Sequence, residues 1–406
     1  MDSILATFLA NPFVYLSMPL ISGLVGFATN VLAIKMMFEP VDFIGRKPLL
    51  GWQGIIPRRA PKMAAISVET ITRHLISQEE IFNRLDANKI ASALEPALND
   101  LVPDLVDDIM EQYQPRLWEL TPTLVKRRVY HNVQREAPAL IHDIMDQLKR
   151  NISQVYDLED MVVTTLSDNK ALLNQIFQEV GHSEFRFIGR SGFYFGVLFG
   201  VLQTGIWLFF QELWLLPAFG LLVGYATNVI ALQMIFKPRD PIGLGPLSIQ
   251  GLFIKRQSEV ARDYGRLVAN SVLTPANIIK GLLQGPHSDR FFSMITRHVQ
   301  RVVDNQSSVA KPVVTLAVGT QTYRDIKQSA VNLLIERLPT TLQHIEKYAD
   351  EALDLESTLS HRLQRLSPAK FEGMLRPAFE QDEWLLILVG AALGFCVGTA
   401  QLLFFL

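Results

Sequence analysis

The hydrophobic and polar positions of this chain separate four long apolar stretches from two long regions of mixed character. A helix needs about 20 apolar residues to cross a bilayer. Four stretches reach that length almost without charge, and they lie between Asp2 and Lys35, from Ser191 to Gln211, from Leu213 to Phe236 and from Trp384 to Leu406. We therefore predict an all-α integral membrane protein with four transmembrane helices. The first stretch has no cationic segment before it, which favours a retained span over a cleaved signal peptide.

The mixed regions carry apolar residues at steps of three and four, the period of an amphipathic helix. Three such stripes are Leu94, Leu98, Leu101, Leu105, Ile109, Tyr113, Leu117, Leu120 and Leu124; Ile141, Met145, Leu148, Ile152 and Val155; and Leu334, Leu338, Leu342, Ile345 and Ala349. Prolines 96, 103, 115, 122 and 138 are expected to start or kink helices. A stripe of this kind usually packs against another helix. The alternative is a surface that lies on the bilayer or shelters an apolar ligand.

This pattern predicts five consecutive segments. They are a first transmembrane helix at 1–40, a first helical insert at 41–190, a transmembrane hairpin at 191–238 with its turn at Gln211-Glu212, a second helical insert at 239–383, and a fourth transmembrane helix at 384–406.

Cations flank only one end of each predicted span. Lys35, Arg46, Lys47, Arg58, Arg59 and Lys62 follow the first span, Arg186 and Arg190 precede the second, Lys237, Arg239, Lys255 and Arg256 follow the third, and Arg376 precedes the fourth. Because Lys and Arg accumulate on the cytoplasmic side, we expect both termini outside and both inserts in the cytoplasm.

The first and third spans share one phrase, 198 residues apart. Residues 19–40 and 217–238 are identical at 12 of 22 positions, and matches continue at Ile44-Gly45 with Ile242-Gly243 and at Gln53-Gly54 with Gln250-Gly251. Each half has two spans and therefore the same topology. We predict two parallel tandem repeats related by an axis along the membrane normal.

Small residues recur every four positions in the spans, which places them on one helix face. They are Gly26, Gly192, Gly196, Gly200, Gly220, Gly224, Gly390, Gly394 and Gly398. In lipid, helices associate through close backbone approach at such residues. The pattern predicts a compact four-helix bundle without a wide aqueous pore.

Two polar pairs lie inside the repeated phrase, Thr29-Asn30 and Thr227-Asn228. Asparagine at membrane depth needs hydrogen-bond partners. The pairs are expected either to bond within the structure or to form a small polar site that binds a head group or lines a vestibule. Candidate contacts to lipid head groups lie beyond the spans: Lys35, Gln53, Gly54, Arg58, Arg59, Gln250, Gly251, Lys255 and Arg256. Cations there favour anionic phospholipids.

Composition narrows the chemistry. The net charge is −2. The sequence has no basic stripe with interleaved aromatic residues, so we do not expect it to bind nucleic acid. The single cysteine, Cys396, excludes an internal disulfide framework and is expected to pack as a small buried hydrophobe. Motifs of metalloproteases, serine hydrolases, P-loops and dinucleotide-binding folds are missing from the sequence. We predict no enzyme activity, no catalytic residue, no cofactor and no metal.

The repeated phrase also carries a family resemblance. GLVGFATNVLAIKMMFEP, followed by IG and then QGIIPRR, resembles the YheB/YjiN-like bacterial membrane proteins, a family grouped as a domain of unknown function. The closing GAALGFCVGTAQ is similar to that family's Gly-rich last span. The match extends over both halves and carries over to Thr29, Asn30, Ala33, Met36, Phe38, Pro40, Gln53, Gly54 and Arg59. The resemblance implies a bacterial inner-membrane location and supplies no activity.

These observations lead to one hypothesis and two alternatives. We expect a non-enzymatic inner-membrane protein that acts as an envelope scaffold, or that binds lipid or a protein partner through its cytoplasmic lobes. One alternative is a pseudo-symmetric transporter or channel with a polar site at Asn30 and Asn228. The other is a lipid-handling protein that uses the amphipathic lobes.

Overall fold

The computed structural model describes residues 12–46, 50–210, 212–244, 247–306, 320–380 and 383–405. The elements up to the second span are α1 (Pro12–Phe38), β1 (Ile44–Arg46), β2 (Leu50–Trp52), α2 (Ile55–Arg58), α3 (Ala60–Thr70), a π-helical turn (Ile71–Leu75), α4 (Gln78–Asn83), α5 (Ala87–Tyr113), α6 (Pro115–Glu119), α7 (Thr123–Arg150), α8 (Ile152–Val155), α9 (Leu158–Asp168), α10 (Lys170–Val180) and α11 (His182–Phe209).

The remaining elements are α12 (Leu215–Phe236), β3 (Ile242–Leu244), β4 (Leu247–Ile249), α13 (Leu252–Lys255), α14 (Gln257–Ser271), α15 (Pro275–Gln284), α16 (Ser288–Gln306), α17 (Thr320–Leu342), a 3₁₀ turn (Gln343–Ile345), α18 (Glu346–Leu353), α19 (Leu355–Gln364), α20 (Pro368–Glu380) and α21 (Glu383–Phe405).

The described residues form two compact units. Unit 1 comprises those within Met1–Thr70, Leu166–Val268 and Leu359–Leu406, and unit 2 comprises Ile71–Thr165 and those within Ala269–Thr358. The sequence-based division follows chain order and separates one lobe per insert. The structure instead combines the middle parts of both inserts in unit 2, while the parts nearest the spans belong to unit 1.

Four helices of unit 1 are long and apolar enough to cross a membrane: Tyr15–Phe38, His182–Phe209, Leu215–Phe236 and Glu383–Leu402. They agree with the four predicted spans in number and place. The helix that contains the second span begins at His182, nine residues before the predicted start at Ser191. The prediction used only the charge-free stretch, whereas the helix also includes the charged residues before it. The start of the first predicted span, Lys47, Gln211 of the predicted turn and Leu406 lie outside the described residues.

The four spans run in alternating directions. At one end of unit 1, Tyr15 and Met18 of α1 pack with Trp207 near the end of α11 and Leu216 at the start of α12. Thus α1 and α12 run one way and α11 runs the other. Leu402, near the end of α21, packs against the same cluster, so α21 runs with α11.

The outward faces of the spans are apolar, as contact with lipid requires. They expose Leu20, Leu24 and Phe27 of α1, Leu198 and Val201 of α11, Leu221 and Leu222 of α12, and Leu388 and Phe395 of α21. Cys396 is also exposed. The expectation of a buried cysteine was therefore wrong: a span that is apolar all round has no sequence signal for which face is packed.

A short antiparallel hairpin follows each of α1 and α12. Strand β1 pairs with β2 and β3 with β4, three residues a strand. Neither hairpin was predicted from the sequence, because strands of three residues are too short to show a period-two alternation.

Unit 2 is helical throughout, and its apolar stripes form its core. Leu94, Leu101 and Ile109 of α5 are buried, as are Met145 and Leu148 of α7. The predicted first stripe does not continue as one helix, because α5 ends at Tyr113 and Pro115 begins α6. Its last members are exposed: Leu117, Leu120 and Leu124. Prolines 96 and 103 lie inside α5 and Pro138 inside α7, so these helices continue through them.

Candidate functional site in the membrane spans

Asn30 and Asn228 each connect two spans by the same hydrogen bond. Asn30 Nδ2 donates to the carbonyl oxygen of Ile188 at 2.8 Å, which joins α1 to α11. Asn228 Nδ2 donates to the carbonyl oxygen of Leu386 at 2.8 Å, which joins α12 to α21. Relative exposures of 0% and 3% place both asparagines in the interior. The bonds supply the partners that amides at this depth require.

Glycines allow the helices to approach closely enough for these bonds. A Cβ atom on Gly26 would lie less than 3.0 Å from the carbonyl oxygen of Gly192, and one on Gly224 equally near that of Gly390, a separation that real Cβ atoms essentially never show. The other predicted packing glycines are equally close to backbone atoms of a facing span: Gly196, Gly200, Gly220, Gly394 and Gly398. Both span pairs, α1 with α11 and α12 with α21, therefore pack backbone against backbone.

The neighbouring threonines bond within their own helices. Thr29 Oγ1 donates to the carbonyl oxygen of Val25 at 2.9 Å, and Thr227 Oγ1 to that of Val223 at 2.8 Å. Such bonds satisfy a buried hydroxyl without a partner from another span. In each polar pair, the asparagine therefore connects two helices, while the threonine bonds within its own helix.

A small cavity lies between the two asparagines. Its volume is about 30 Å³, and Asn30, Asn228, Glu184 and Leu386 are among the residues that line it. A buried water needs about 10–15 Å³, so the space suffices for one or two. Asn30 Oδ1 and Glu184 Oε2 are buried without a hydrogen-bond partner. The accessible surface of the cavity is nearly all apolar, so these two buried oxygens alone make it the candidate site in unit 1.

Glu184 is held by an arginine. Arg256 Nη1 lies 2.7 Å from Glu184 Oε1, and Arg256 Nε lies 2.8 Å from Glu259 Oε2. Burial alone would lower the pKa of Arg256, but the bonds to both carboxylates outweigh it and raise that pKa, so the guanidinium stays charged. The carboxylate beside the cavity is therefore neutralised by a neighbour.

The candidate head-group residues include two Gln-Gly pairs that contact the backbone and five cations that differ in exposure. Gln53 Nε2 donates to the carbonyl oxygen of Val41 at 2.8 Å, and Gln250 Nε2 to that of Arg239 at 3.1 Å. Gly54 and Gly251, which begin the turns into α2 and α13, fit against the backbone at Phe38 and Phe236, where a Cβ would clash. Both Gln-Gly pairs thus brace the chain beyond a span.

Three of the predicted cations, Lys35, Arg58 and Lys255, are accessible. Arg58 and Lys255 are exposed, while Arg59 and Arg256 are partly buried. Lys35 Nζ lies 3.7 Å from Glu39 Oε2 on the surface of unit 1. Contact of these residues with lipid head groups stays a prediction.

Sequence analysis did not single out a buried carboxylate of α20. Glu372 accepts a hydrogen bond from Arg239 and another, at 2.7 Å, from Arg376. Burial alone would raise the pKa of Glu372, but the two guanidinium groups outweigh it and hold that pKa below its usual value. The sequence does place Glu372 between Lys370 and Arg376, shortly before the fourth span, and this charge pattern could have suggested an ion pair.

A second missed contact joins the spans at mid-length. Ser22 Oγ donates to Gln203 Oε1 at 3.1 Å, which connects α1 to α11. Gln203 and Gln401 match in the repeat, so the position of Gln203 was visible in the sequence, but its partner Ser22 was not.

The chain is similar along its whole length to bacterial membrane proteins. It is 21% identical to a UPF0754 membrane protein of Synechococcus sp. (strain JA-3-3Ab), over 97% of this chain and 99% of the relative. It is 22% identical to one of Nostoc punctiforme, with 97% of each chain covered. With one of Bacillus mycoides it shares 30% identity over 107 residues, 26% of this chain and 28% of the relative.

No family model and no solved structure matches the chain. The relatives carry the UPF0754 name and not the YheB/YjiN grouping that the repeated phrase resembles. Their shared name states a membrane location and no activity. Together with the four apolar helices, these relatives identify a helical membrane protein related to bacterial proteins of unknown function.

Proposed function

We propose that the chain is a non-enzymatic scaffold of a bacterial inner membrane, whose spans anchor a helical body that binds lipid or a partner protein. The observation that carries this proposal is the use of the intramembrane polar residues. The side-chain amides of Asn30 and Asn228 donate hydrogen bonds to backbone carbonyls of neighbouring spans, and glycines allow the helices to pack in close contact. A conduit needs polar groups along an open path, whereas these groups serve helix packing.

Matching contacts support a parallel tandem repeat. The two asparagine bonds join residues 158 apart in both halves, and their donors lie 198 apart. Both Gln-Gly braces also recur. Equal span directions in the two halves, together with the cations beyond α1 and α12, favour termini outside and inserts in the cytoplasm.

Orientation is testable by labelling. Single cysteines placed at Arg58 and at Ala276, in a Cys396→Ser background, should both react with a membrane-impermeant maleimide only after inverted vesicles are prepared. Reaction of the two positions from opposite faces would contradict the parallel repeat.

A transporter or channel is the second candidate, because one observation favours it. Asn30 Oδ1 and Glu184 Oε2 are buried without partners beside the same cavity of about 30 Å³. Such oxygens can accept bonds from water or a cation during passage. The ion pair of Glu184 with Arg256 opposes cation binding, since it neutralises the carboxylate.

The two candidates give different results for Asn30→Ala and Asn228→Ala in proteoliposomes. A scaffold shows a lower free energy of unfolding in both variants, and the fluxes of H⁺, Na⁺ and K⁺ equal those of protein-free vesicles. Thr29→Val is the matched control, because its hydroxyl bonds only within α1. A specific flux in the wild type that Asn30→Ala abolishes would overturn the scaffold proposal and favour the conduit.

A further inference from the structure

Unit 2 contains an apolar cavity of about 170 Å³. Helices from both inserts contribute to its wall: α4, α5, α7, α15, α16, α17 and α18. The apolar stripes predicted from the sequence meet here, with Leu94 and Leu98 from the first stripe, Ile141, Met145 and Leu148 from the second, and Leu334, Leu338, Leu342, Ile345 and Ala349 from the third. Residues more than 180 positions apart thus share one apolar space.

The wall is almost purely hydrocarbon. Among the described residues that line it, Thr341 is the one with a polar side chain, and its hydroxyl donates to the carbonyl oxygen of Arg337 in the same helix at 2.9 Å. A buried water needs two to four polar partners, so this wall holds water poorly. An apolar void of about 150 Å³ in an engineered protein stays dry and binds benzene. The size and chemistry of this cavity therefore suit a hydrocarbon ligand.

The residues that line the cavity differ in exposure. Ile81 and Phe82 of α4 are 0% and 2% exposed, while others, among them Leu98 of α5 and Leu338 of α17, are partly exposed. Several helices thus supply the apolar wall, which a flexible chain follows better than a rigid body does.

We propose that this cavity binds the end of one hydrocarbon chain, from the acyl tail of either a free fatty acid or a phospholipid. The protein resides in a membrane, so acyl chains are the apolar molecules it meets at the highest concentration. Flexible methylene chains gain free energy in proportion to the apolar area that they bury. The site lies within unit 2 and rests on the proposed function, because it specifies the lipid that the helical body binds; it does not depend on how the spans pack.

Photolabelling of the full-length protein in mild detergent tests the proposal. One probe is a palmitic acid with a diazirine on the distal half of its chain, and the other is a phosphatidylglycerol with the same acyl chain. Proteolysis and mass spectrometry then locate the adducts. We expect adducts on α5, α7 and α17, and competition by an excess of unlabelled palmitate or lipid. Labelling by the first probe alone identifies a fatty acid, and labelling by the second identifies a phospholipid tail.

Filling the cavity provides the decisive variant. Ala137 of α7 is buried in its wall, whereas Ala139, two residues on, is exposed. Ala137→Leu takes up the space of about two methylenes of ligand, which lowers affinity about tenfold, and Ala139→Leu is the matched control with unchanged labelling. Ala349→Leu fills the space from α18 and replaces Ala137→Leu if that variant does not fold.

Each result decides the matter. Adducts on the cavity helices that fall about tenfold in Ala137→Leu, or in Ala349→Leu, and persist in Ala139→Leu support the site. Adducts confined to the spans, or equal labelling in the filled and control variants, would overturn it. Loss of labelling leaves the flux of proteoliposomes unaffected, so this outcome is separate from the test of the scaffold.

Discussion

A single methyl group tests whether backbone contact between spans holds unit 1 together. In Gly26→Ala, the new Cβ would lie less than 3.0 Å from the carbonyl oxygen of Gly192, whereas ordinary contact begins at 3.4 Å. The backbone fixes the position of the alanine Cβ, and the oxygen is itself a backbone atom, so no change of rotamer can relieve the contact. Helices α1 and α11 must therefore separate by roughly 1 Å to restore normal contact. Gly224→Ala repeats the experiment in the other span pair.

The expected loss has two parts. Overpacking a close contact costs about 1–3 kcal/mol. The same separation would lengthen the 2.8 Å bond from Asn30 to Ile188 to about 3.8 Å, beyond hydrogen-bond range. A hydrogen bond between membrane helices contributes about 0.6–1.7 kcal/mol. We expect Gly26→Ala to lower the free energy of unfolding by about 2–5 kcal/mol.

The measurement is reversible unfolding by SDS in mixed micelles, followed by circular dichroism. Gly205→Ala is the matched control, since it makes the same change in α11 where a Cβ meets no atom within 4 Å. Alanine has the higher helix propensity by up to about 1 kcal/mol, so the control should be unchanged or slightly more stable.

A double-mutant cycle measures the coupling between Gly26 and Asn30. If Gly26→Ala already weakens the asparagine bond, then Asn30→Ala should cost less in the Gly26→Ala background than in the wild type. Equal stabilities of Gly26→Ala and Gly205→Ala would refute the packing argument. Strict additivity with Asn30→Ala would refute the link between glycine contact and hydrogen bond.

Three further predictions concern titration and the cavity. The pKa of Glu372 is held below its usual 4.5, so its contribution to stability is present above pH 4.5 and is lost as pH falls lower; a pH series of thermal unfolding should show this loss, and Glu372→Gln should remove it. Burial, and to a smaller extent the charge of Arg301, lowers the pKa of His298 below 6.5, so folding favours the neutral imidazole. The free energy of unfolding should therefore decline as pH falls below 6.5, and His298→Asn should abolish that decline. An empty cavity of about 170 Å³ costs about 4 kcal/mol, so Ala137→Leu should stabilise delipidated protein by about 1–2 kcal/mol in denaturant titration, and a loss of stability would contradict an empty wall.

The spans were predictable because their signal is local. A charge-free stretch of sufficient length has few alternatives to a membrane helix. The importance of Asn30 was also visible, since an amide among apolar residues needs a partner. Its acceptor was not, because a backbone carbonyl at Ile188 has no signature in the sequence.

The composition of unit 2 could not be predicted for a different reason. Helical periodicity identifies which face of a helix is apolar, but not which distant helix covers it. The stripe of Leu334 and Leu338 was therefore expected to pack against another helix, but the sequence did not say which one. In the structure it faces Leu94 and Ile141 from the other insert, across one cavity. Pairing of stripes depends on shape, which is set only when the whole unit is assembled.

The two halves of the chain differ at a pair of matching polar positions. Asn174 of α10 and Glu372 of α20 lie 198 positions apart, in the register of the repeated spans. Asn174 Nδ2 donates to the carbonyl oxygen of Phe38 at 2.9 Å, whereas Glu372 pairs with two arginines.

Positions that are identical in both halves, such as the asparagines and the packing glycines, join helices. A contact that both halves repeat holds helices together in each of them. We therefore expect substitutions at the shared positions to lower the free energy of unfolding, whereas substitutions in the cavity of unit 2 change ligand binding as well as stability.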